Sequence, residues 1–282
     1  MNARPRNVFL TGASSGIGAA LATRLLDEGH HVWGTSRDKG RLAGFPRLHP
    51  VEMTLEDPAS VEQAWNMALA QAGAMHVVVQ NAGAGHFGSI EEVSLEDSRR
   101  VWSVLVEGPL LILKLAAEHL RPRREGMIIG ISSLAAEMPI CFCSHYSAAK
   151  AAFSTLLAGL WMELKPFGVQ VVDVRPGDFR TGFNDALPRT MPEKSAYAPW
   201  AQSAWLANQK LMATAPAPDV IAAAILRLLL AKKAPAILRE AAFFQSRIAP
   251  LGPRLLSREC LLQSIRTYYD LNRVDARERG RE

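Results

Sequence analysis

Hydrophobic and polar positions alternate between two periods along the first two thirds of the chain. Six short apolar runs have the length of buried strands, at residues 7–11, 31–35, 47–53, 76–80, 127–132 and 170–175. Segments of helical length separate these runs. Since consecutive parallel strands need a long crossover, this order predicts an α/β fold with a doubly wound parallel sheet of six to seven strands. The seventh strand is expected near residues 236–239.

The segments between the strands carry helix start signals, and they place helices on both faces of the sheet. Asp57 followed by Pro58 is typical of an N-cap and a first helical turn. Further helices are predicted over residues 94–120 and 145–166, and one or two more near residues 196–212 and 219–232.

The pattern changes from about residue 185, where prolines interrupt a region rich in alanine and tryptophan. We therefore expect a single Rossmann-type domain over residues 1–240, with a mobile substrate lid at about residues 182–215. A helical C-terminal extension is expected over residues 241–282. Its apolar and arginine-containing part is typical of a helix that packs on the domain or on another subunit, and membrane contact is the less favoured alternative.

Composition narrows the range of partners. The chain has 282 residues, of which 49% are hydrophobic, and a formal net charge of +5. The charges are scattered, whereas a nucleic-acid partner would favour a concentrated basic face with interleaved aromatic residues. We therefore expect no nucleic-acid partner.

The cysteines and the apolar runs bear on the cellular compartment of the protein. Cys141, Cys143 and Cys260 are odd in number and irregular in spacing, which argues against a disulfide framework and against a zinc site, so no metal is expected. The first six residues lack the apolar run of a signal peptide, and no apolar stretch reaches the length that spans a bilayer. The sequence predicts a cytoplasmic protein.

The first candidate for chemistry is the pair Tyr146 and Lys150, which are four residues apart on a predicted helix. Residues at this spacing share one face of a helix. A neighbouring ammonium stabilises a phenolate, and a phenol that exchanges its proton is a general acid or base for alcohol and carbonyl chemistry.

A second candidate is the glycine-rich run over residues 11–18, which follows a strand and opens a helix. This setting is typical of a loop that binds the phosphates of a dinucleotide. Gly12 permits a tight turn, Gly16 leaves room for the pyrophosphate, and Gly18 allows the helix to pack close to the sheet. The helix N-terminus offers free N–H groups to the phosphates. The alternative is an ordinary glycine-rich turn.

Arg37, just after the second predicted strand, bears on the choice of cofactor. A cofactor without the ribose phosphate wants a carboxylate at this point, whereas a guanidinium suits a 2′-phosphate. This favours NADP(H) over NAD(H). The alternative is a solvated surface arginine.

Together these motifs resemble the short-chain dehydrogenase/reductase family over residues 7–182. The run from Thr11 to Gly18 matches the family's TGxxxGxG loop, residues 81–83 match its NAG motif, and residues 146–150 match YxxxK. Ser133 stands thirteen residues before Tyr146, where the family has its catalytic serine. Pro176 and Gly177, with Thr181 behind them, resemble its PG segment.

The resemblance implies roles for individual residues. Tyr146 would exchange a proton with the substrate oxygen, Lys150 would lower the pKa of Tyr146 and hold the nicotinamide ribose, and Ser133 would donate a hydrogen bond to the substrate oxygen. Ser132 is the neighbouring candidate, but the spacing favours Ser133. The cofactor-binding residues implied are Gly12, Ser14, Ser15, Gly16, Ile17, Gly18, Arg37, Thr54, Leu55, Asn81, Ala82, Gly83, Tyr146, Lys150, Pro176, Gly177 and Thr181.

Two positions depart from the family pattern. Leu105 stands where the family usually has an asparagine, whose main-chain carbonyl takes part in a proton relay and whose side chain supports a kink. A leucine keeps the carbonyl, so the relay can survive, but the kink is in doubt. Thr54 stands where many members have an aspartate that contacts the adenine.

The sequence signals for substrate-binding residues are less specific than those for the cofactor. The apolar loop over residues 134–145 suggests a hydrophobic substrate, although Met138, Ile140 and Phe142 equally suit loop anchors in the core. His86 and Phe87 are further candidates for the pocket. The region over residues 34–42 resembles the hydroxysteroid and retinol dehydrogenase branch, which favours a steroid, retinoid or other bulky apolar alcohol or carbonyl compound as substrate.

The sequence thus predicts an NADP(H)-dependent oxidoreductase that interconverts a secondary alcohol and a ketone or aldehyde. The resemblance also implies a homodimer or homotetramer. Two alternatives remain: a sensor or scaffold that keeps the fold with little turnover, and a dehydratase or epimerase on the same scaffold.

Overall fold

The computed structural model describes residues 4–280 and contains a seven-stranded parallel sheet. Its strands lie in the order β3-β2-β1-β4-β5-β6-β7. The chain therefore adds β2 and β3 on one side of β1 and then adds β4 to β7 on the other side. The strands are Asn7–Leu10 (β1), His31–Ser36 (β2), His49–Glu52 (β3), Val77–Gln80 (β4), Met127–Ile131 (β5), Gln170–Pro176 (β6) and Ile237–Glu240 (β7). The predicted Rossmann-type fold is confirmed, including the seventh strand.

Ten α-helices lie within the described residues. They are Gly16–Asp27 (α1), Pro58–Ala72 (α2), Leu95–Trp102 (α3), Gly108–Arg123 (α4), Ser144–Leu164 (α5), Ala198–Thr214 (α6), Pro218–Leu230 (α7), Gly252–Leu255 (α8), Arg258–Tyr268 (α9) and Leu271–Arg279 (α10). Asp57 caps α2 as predicted, because its carboxylate accepts a hydrogen bond from the Ala59 N–H at 3.0 Å.

Both faces of the sheet are buried. Successive strand residues point to opposite faces, so Phe9 joins the core beneath α2, α4 and α5, while Val8 and Leu10 join the core beneath α1 and α7. Each such fully buried side chain contributes about 1.5–3 kcal/mol to folding. The carboxyl ends of the strands are thereby held as one rigid edge, on which the loops of the site are built.

The helix predicted over residues 94–120 is interrupted. Between α3 and α4 lies a π-helical turn, Ser103–Glu107, and α4 ends at Arg123. Pro109 interrupts the helical hydrogen bonds, because it has no N–H to donate to the Leu105 carbonyl oxygen. Gly108 allows the turn to pack closely, since a methyl group there would lie 2.5 Å from the Leu55 carbonyl oxygen. The distortion therefore forms without the asparagine that is usual in the family.

The segment after β7 returns to the edge of the sheet that carries the loops. It makes a π-helical turn, Phe244–Ile248, and then forms α8, α9 and α10. Trp200 of α6 donates a hydrogen bond to Asp275 of α10 at 2.7 Å, and Tyr269 and Leu271 share an apolar cluster with Trp205. These contacts fasten the segment to α6.

Within residues 4–280, no single helix has the length and apolar character needed to cross a membrane. Helices α6 and α7 reach both criteria only when taken together, and they are bent by 68° at the break between them. Both helices bury part of their surface in the protein core.

Candidate active site

A cavity of about 1090 Å³ opens at the carboxyl ends of the strands and extends from the glycine loop to the C-terminal segment. This is the edge at which doubly wound folds bind ligands. Most of the predicted site residues line it: Gly12, Ser14, Ser15, Gly16, Ile17, Arg37, Leu55, Asn81, Ala82, Gly83, Ser133, Tyr146, Lys150, Pro176, Gly177 and Thr181. The structure thus brings the separate sequence motifs to one site.

The glycine loop after β1 has the backbone that a phosphate cradle needs. Gly12 and Gly16 have φ of +67° and +55°, in the left-handed region that side chains disfavour. A methyl group on Gly12 would lie 2.9 Å from the Cα of Ala82. The loop then opens into α1, whose first residues, Gly16 and Ile17, line the cavity. These features fit a dinucleotide.

Gly18 does not line the cavity, and its role is packing. A methyl group there would lie 2.1 Å from the Gly12 carbonyl oxygen and 2.5 Å from Nδ2 of Asn81. The Asn81 amide in turn donates to the carbonyl oxygens of Thr11 and Gly12, at 2.9 and 3.2 Å. The NAG motif therefore fixes the glycine loop to the end of β4.

The adenosine end of the cavity contains two arginines. Arg37 is exposed at the end of β2, and Arg41 lines the cavity beside it. Asp38 is engaged elsewhere, because its carboxylate accepts the Gly40 N–H at 2.8 Å as the cap of a short turn. Arg41 was not predicted as a site residue; its spacing, four residues after Arg37, is the signal that could have found it.

Thr54 also lies outside the cavity wall. Its N–H donates to the Ser60 hydroxyl at 3.0 Å, while the neighbouring residues Met53 and Leu55 line the cavity. The chain turns at this point, because the Asp57 N–H donates to the Thr54 carbonyl oxygen at 3.2 Å. The adenine contact of Thr54 stays a prediction.

Ser133, Tyr146 and Lys150 converge on the middle of the cavity. The Ser133 Oγ accepts the Ala135 N–H at 3.0 Å, and the Ser133 hydroxyl is near enough to the Tyr146 phenol to lower its pKa. The Lys150 ammonium donates to the Ile131 carbonyl oxygen at 2.8 Å and lies 5.8 Å from the centre of the Tyr146 ring.

The pKa of Tyr146 departs from the predicted direction. Burial raises the pKa of Tyr146 to about 12, and the hydrogen bond with Ser133 offsets this only in part. Burial also lowers the pKa of Lys150 to about 8, with the nearby Asp173 carboxylate opposing the change. Burial disfavours the charged form of both groups and sets the net direction for Tyr146, and the lowering of the phenol pKa by Lys150 stays a prediction. The phenol is protonated at neutral pH and is ready to act as a proton donor.

Ser132, the neighbouring candidate to Ser133, also lines the cavity, but its hydroxyl is engaged by other residues. Its hydroxyl donates to Asp173, whose carboxylate also accepts from Ser154 and from Arg175, each at 2.7 Å. This buried network lies behind Lys150. Asp173 was not predicted, although an acidic residue within the apolar run of β6 is a signal that could have revealed it.

The substrate end is built largely by residues that the sequence did not assign. Met138 and Ile140 line the cavity, whereas Phe142 packs against Phe87 in a cluster with Trp205. Side chains from the C-terminal segment complete the wall, among them Phe244, Ile248, Leu251, Leu255, Leu256, Leu261, Ile265, Tyr268 and Tyr269. This end is predominantly apolar.

His86 lines the cavity, as the sequence suggested, but Phe87 is buried in the core. The ring of His86 is hydrogen-bonded to the Thr190 hydroxyl at 2.8 Å, and burial lowers the pKa of this histidine. A neutral imidazole here ties the loop after β4 to the segment before α6.

Comparisons with known proteins agree with this geometry. The sequence model of the short chain dehydrogenase family matches residues 6–192. A 3-ketodihydrosphingosine reductase from Bacteroides thetaiotaomicron is 36% identical over 182 residues, 64% of this chain and 67% of that protein. An NADPH-dependent 1-acyldihydroxyacetone phosphate reductase from Schizosaccharomyces pombe is 32% identical over 202 residues, 68% of each chain.

Solved structures extend the match to the C-terminal segment. A short-chain dehydrogenase from Streptomyces avermitilis has a TM-score of 0.75 at 27% identity, covering 100% of this chain and 98% of that one. A 3-ketoacyl-(acyl-carrier-protein) reductase from Brucella melitensis, solved with NADH, has a TM-score of 0.72 at 26% identity, covering 84% and 96%. The chain belongs to the short-chain dehydrogenase/reductase family and is an oxidoreductase of that family.

Proposed function

We propose that this protein is an NADP(H)-dependent oxidoreductase that interconverts a secondary alcohol and a ketone or aldehyde on a lipophilic substrate. The observation that carries the proposal is the convergence of Ser133, Tyr146 and Lys150 on one cavity, with a phosphate-binding glycine loop at its other end. The substrate-side wall adds the apolar surface that a lipophilic compound would bury.

Each of the three residues has a defined task in this proposal. The protonated Tyr146 phenol donates its proton to the carbonyl oxygen as charge develops there, and the Ser133 hydroxyl stabilises the same oxygen with a hydrogen bond. The Lys150 ammonium, buried beside them, holds the ribose hydroxyls of the cofactor. When bound, the nicotinamide supplies or accepts the hydride.

The cofactor preference rests on this chain's own residues. Arg37 and Arg41 present two guanidinium groups at the end of β2, and the Asp38 carboxylate is engaged as a turn cap. Guanidinium groups suit the charge and the geometry of a ribose 2′-phosphate. The NADPH dependence of the Schizosaccharomyces pombe relative is consistent with this choice, while the Brucella melitensis structure was solved with NADH.

We also propose a cytoplasmic homodimer or homotetramer. Apolar side chains remain exposed on the outer helices, including Leu110 of α4 at 39% and Met162 of α5 at 64%. Sedimentation velocity measures this: a single monomeric species at micromolar concentration would contradict the assembly and leave the proposed reaction untouched.

The reaction is tested by following NADPH oxidation and alcohol formation across a panel of ketones and aldehydes, from small polar to bulky apolar compounds. We expect turnover to rise with apolar size and to be lost in Tyr146→Phe, which keeps the ring and removes the proton donor. NADPH binding without turnover on any compound would instead favour the sensor or scaffold. Product formed with no net change in NADPH would favour a dehydratase or epimerase.

A further inference from the structure

The substrate end of the cavity contains a carboxyl group without a cationic partner. Three acidic residues line the cavity: Glu56, Asp97 and Asp178. Glu56 lies 3.7 Å from Arg100, and Asp97 lies 3.8 Å from Nδ1 of His86. Asp178 has no such basic neighbour among residues 4–280. It follows Gly177 in the loop after β6.

Gln245 of the C-terminal segment holds Asp178 at two points. Its Nε2 donates to Oδ2 of Asp178 at 2.5 Å, and its Oε1 accepts the Asp178 main-chain N–H at 2.9 Å. The same Nε2 lies 3.2 Å from the Tyr268 hydroxyl. A methyl group on Gly177 would lie 2.5 Å from Oε1 of Gln245, so the approach requires a glycine there. The carboxyl group is therefore fixed in position.

This arrangement leaves half of the carboxyl group available. Oδ1 of Asp178 receives no hydrogen bond from the described residues, whereas Oδ2 is occupied by Gln245. Asp178 lines the same cavity as Tyr146, and its charge raises the pKa of the Tyr146, Tyr268 and Tyr269 phenols. Asp178 thus lines the cavity that also contains the Ser133, Tyr146 and Lys150 side chains.

The energetics favour a cationic ligand at this position. A carboxylate in a largely apolar cavity is costly unless a cation or several hydrogen bonds compensate for the lost water. Burial accordingly raises the pKa of Asp178, and the Gln245 hydrogen bond opposes this only in part. A protonated amine would supply both the charge and the donor that the fold itself does not provide.

We propose that Asp178 binds the protonated amine of the substrate, so that the substrates are amino ketones, or the corresponding amino alcohols, with a bulky apolar chain. Because Asp178 and Tyr146 line one cavity, such a substrate would carry its amine near its carbonyl group. This inference rests on the proposed function and narrows its substrate class. Gln245 is a positioning residue, because it holds the carboxyl group without contacting the reacting atoms.

The kinetic test compares three ketones of equal chain length that carry an amine, a hydroxyl or a hydrogen on the carbon next to the carbonyl. We expect the wild type to show a kcat/KM about 10- to 100-fold higher for the amino ketone than for the unsubstituted ketone. Asp178→Asn, which is isosteric and can still pair with Gln245, should reduce that ratio to near one. Asp185→Asn, at an exposed position outside the cavity wall, is the matched control and should keep the ratio.

Two kinetic results would overturn the inference. One is an equal advantage for the hydroxy ketone, since the carboxyl group would then be a neutral hydrogen-bonding partner. The other is a ratio that Asp178→Asn leaves unchanged.

A binding measurement tests the proposed amine site at Asp178 without requiring turnover. Calorimetry with decylamine and decanol compares a cation with a neutral group on the same chain. The wild type should bind decylamine at least about 10-fold more tightly than decanol, and Asp178→Asn should lose this difference. Equal binding of the two compounds by the wild type would contradict the role of Asp178. If no ketone is reduced but the amine preference is present, the proposed reaction fails and the amine site stands.

Discussion

The two ends of the cavity are built in different ways. The cofactor end consists of short loops that follow β1, β2 and β4, and backbone geometry at Gly12 and Gly16 determines its shape. The substrate end consists of side chains from distant parts of the chain, including the C-terminal segment that returns after β7. The first end depends on a few positions where only one residue type fits, and the second on apolar bulk that many residues can supply.

This difference explains why the family motifs fall at one end. A phosphate requires N–H groups at fixed points, so the chain that provides them is constrained residue by residue. An apolar substrate requires only a surface of suitable shape, so its wall carries no motif. Asp178 is an exception within the apolar wall, because a single charge there selects one chemical class.

The largest expected effect lies where the two ends meet. Tyr146→Phe should reduce kcat by at least about a thousandfold, since it removes the proton donor that general acid catalysis needs. NADPH affinity, measured by fluorescence titration, should change little. A variant that retains a tenth of the wild-type kcat would show that the reacting oxygen receives its proton from another group.

The cofactor end should be intolerant of one added methyl group. Gly18→Ala would place a methyl 2.1 Å from the Gly12 carbonyl oxygen, and we expect it to destabilise the protein by about 1–3 kcal/mol and to weaken NADPH binding. Urea unfolding and NADPH titration measure both effects.

Gly44→Ala is the matched control, because a methyl group there meets nothing within 4 Å. It should be close to neutral in both measurements. If Gly18→Ala is as well tolerated as Gly44→Ala, the close packing of α1 on the glycine loop is not what shapes the cofactor end.

These predictions separate what the sequence reveals from what only the fold reveals. The strand order and the residues Ser133, Tyr146 and Lys150 could be located from sequence, because periodicity and fixed spacing reflect local geometry. The apolar pattern predicts one continuous helix across Ser103–Glu107 and the family pattern leaves the kink there open, although Gly108 and Pro109 carry the signal for the break. The position of Phe244, Gln245 and Tyr268 could not be predicted, since an apolar segment does not specify which surface it covers.

The pKa values of Tyr146 and Lys150 likewise depend on the fold and could not be predicted from the sequence. The spacing of Tyr146 and Lys150 predicted that they share a helix face, but it carried no information on how deeply each would be buried. Burial decides the outcome: it raises the pKa of the phenol to about 12 and lowers that of the amine to about 8.

Removing one positive charge at the adenosine end should have an intermediate effect. Arg37→Ala should raise KM for NADPH about tenfold and leave KM for NADH unchanged, because only NADPH carries the 2′-phosphate. Lys39→Ala, an exposed cation in the adjacent turn that does not line the cavity, serves as the control for net charge. Equal changes for NADPH and NADH in Arg37→Ala would contradict phosphate recognition.

The smallest expected effect is a pH dependence of stability from Lys150. Its pKa is about 8 in the folded protein and 10.5 in its ordinary state, so between these values the unfolded chain binds the additional proton. The free energy of unfolding should therefore rise with pH, by about 1 kcal/mol per unit between pH 8 and 10. Urea unfolding of Lys150→Met over this range isolates the contribution, since other groups titrate equally in both proteins. A difference between the two proteins that does not vary with pH would show that the amine keeps its ordinary pKa.

The most direct test of the account is a crystal structure of the protein grown with NADP⁺. The account predicts the pyrophosphate at the N-terminus of α1, the 2′-phosphate beside Arg37 and the nicotinamide ring at about 3–4 Å from the Tyr146 phenol. A nicotinamide ring far from Tyr146, or a dinucleotide bound outside this cavity, would contradict it.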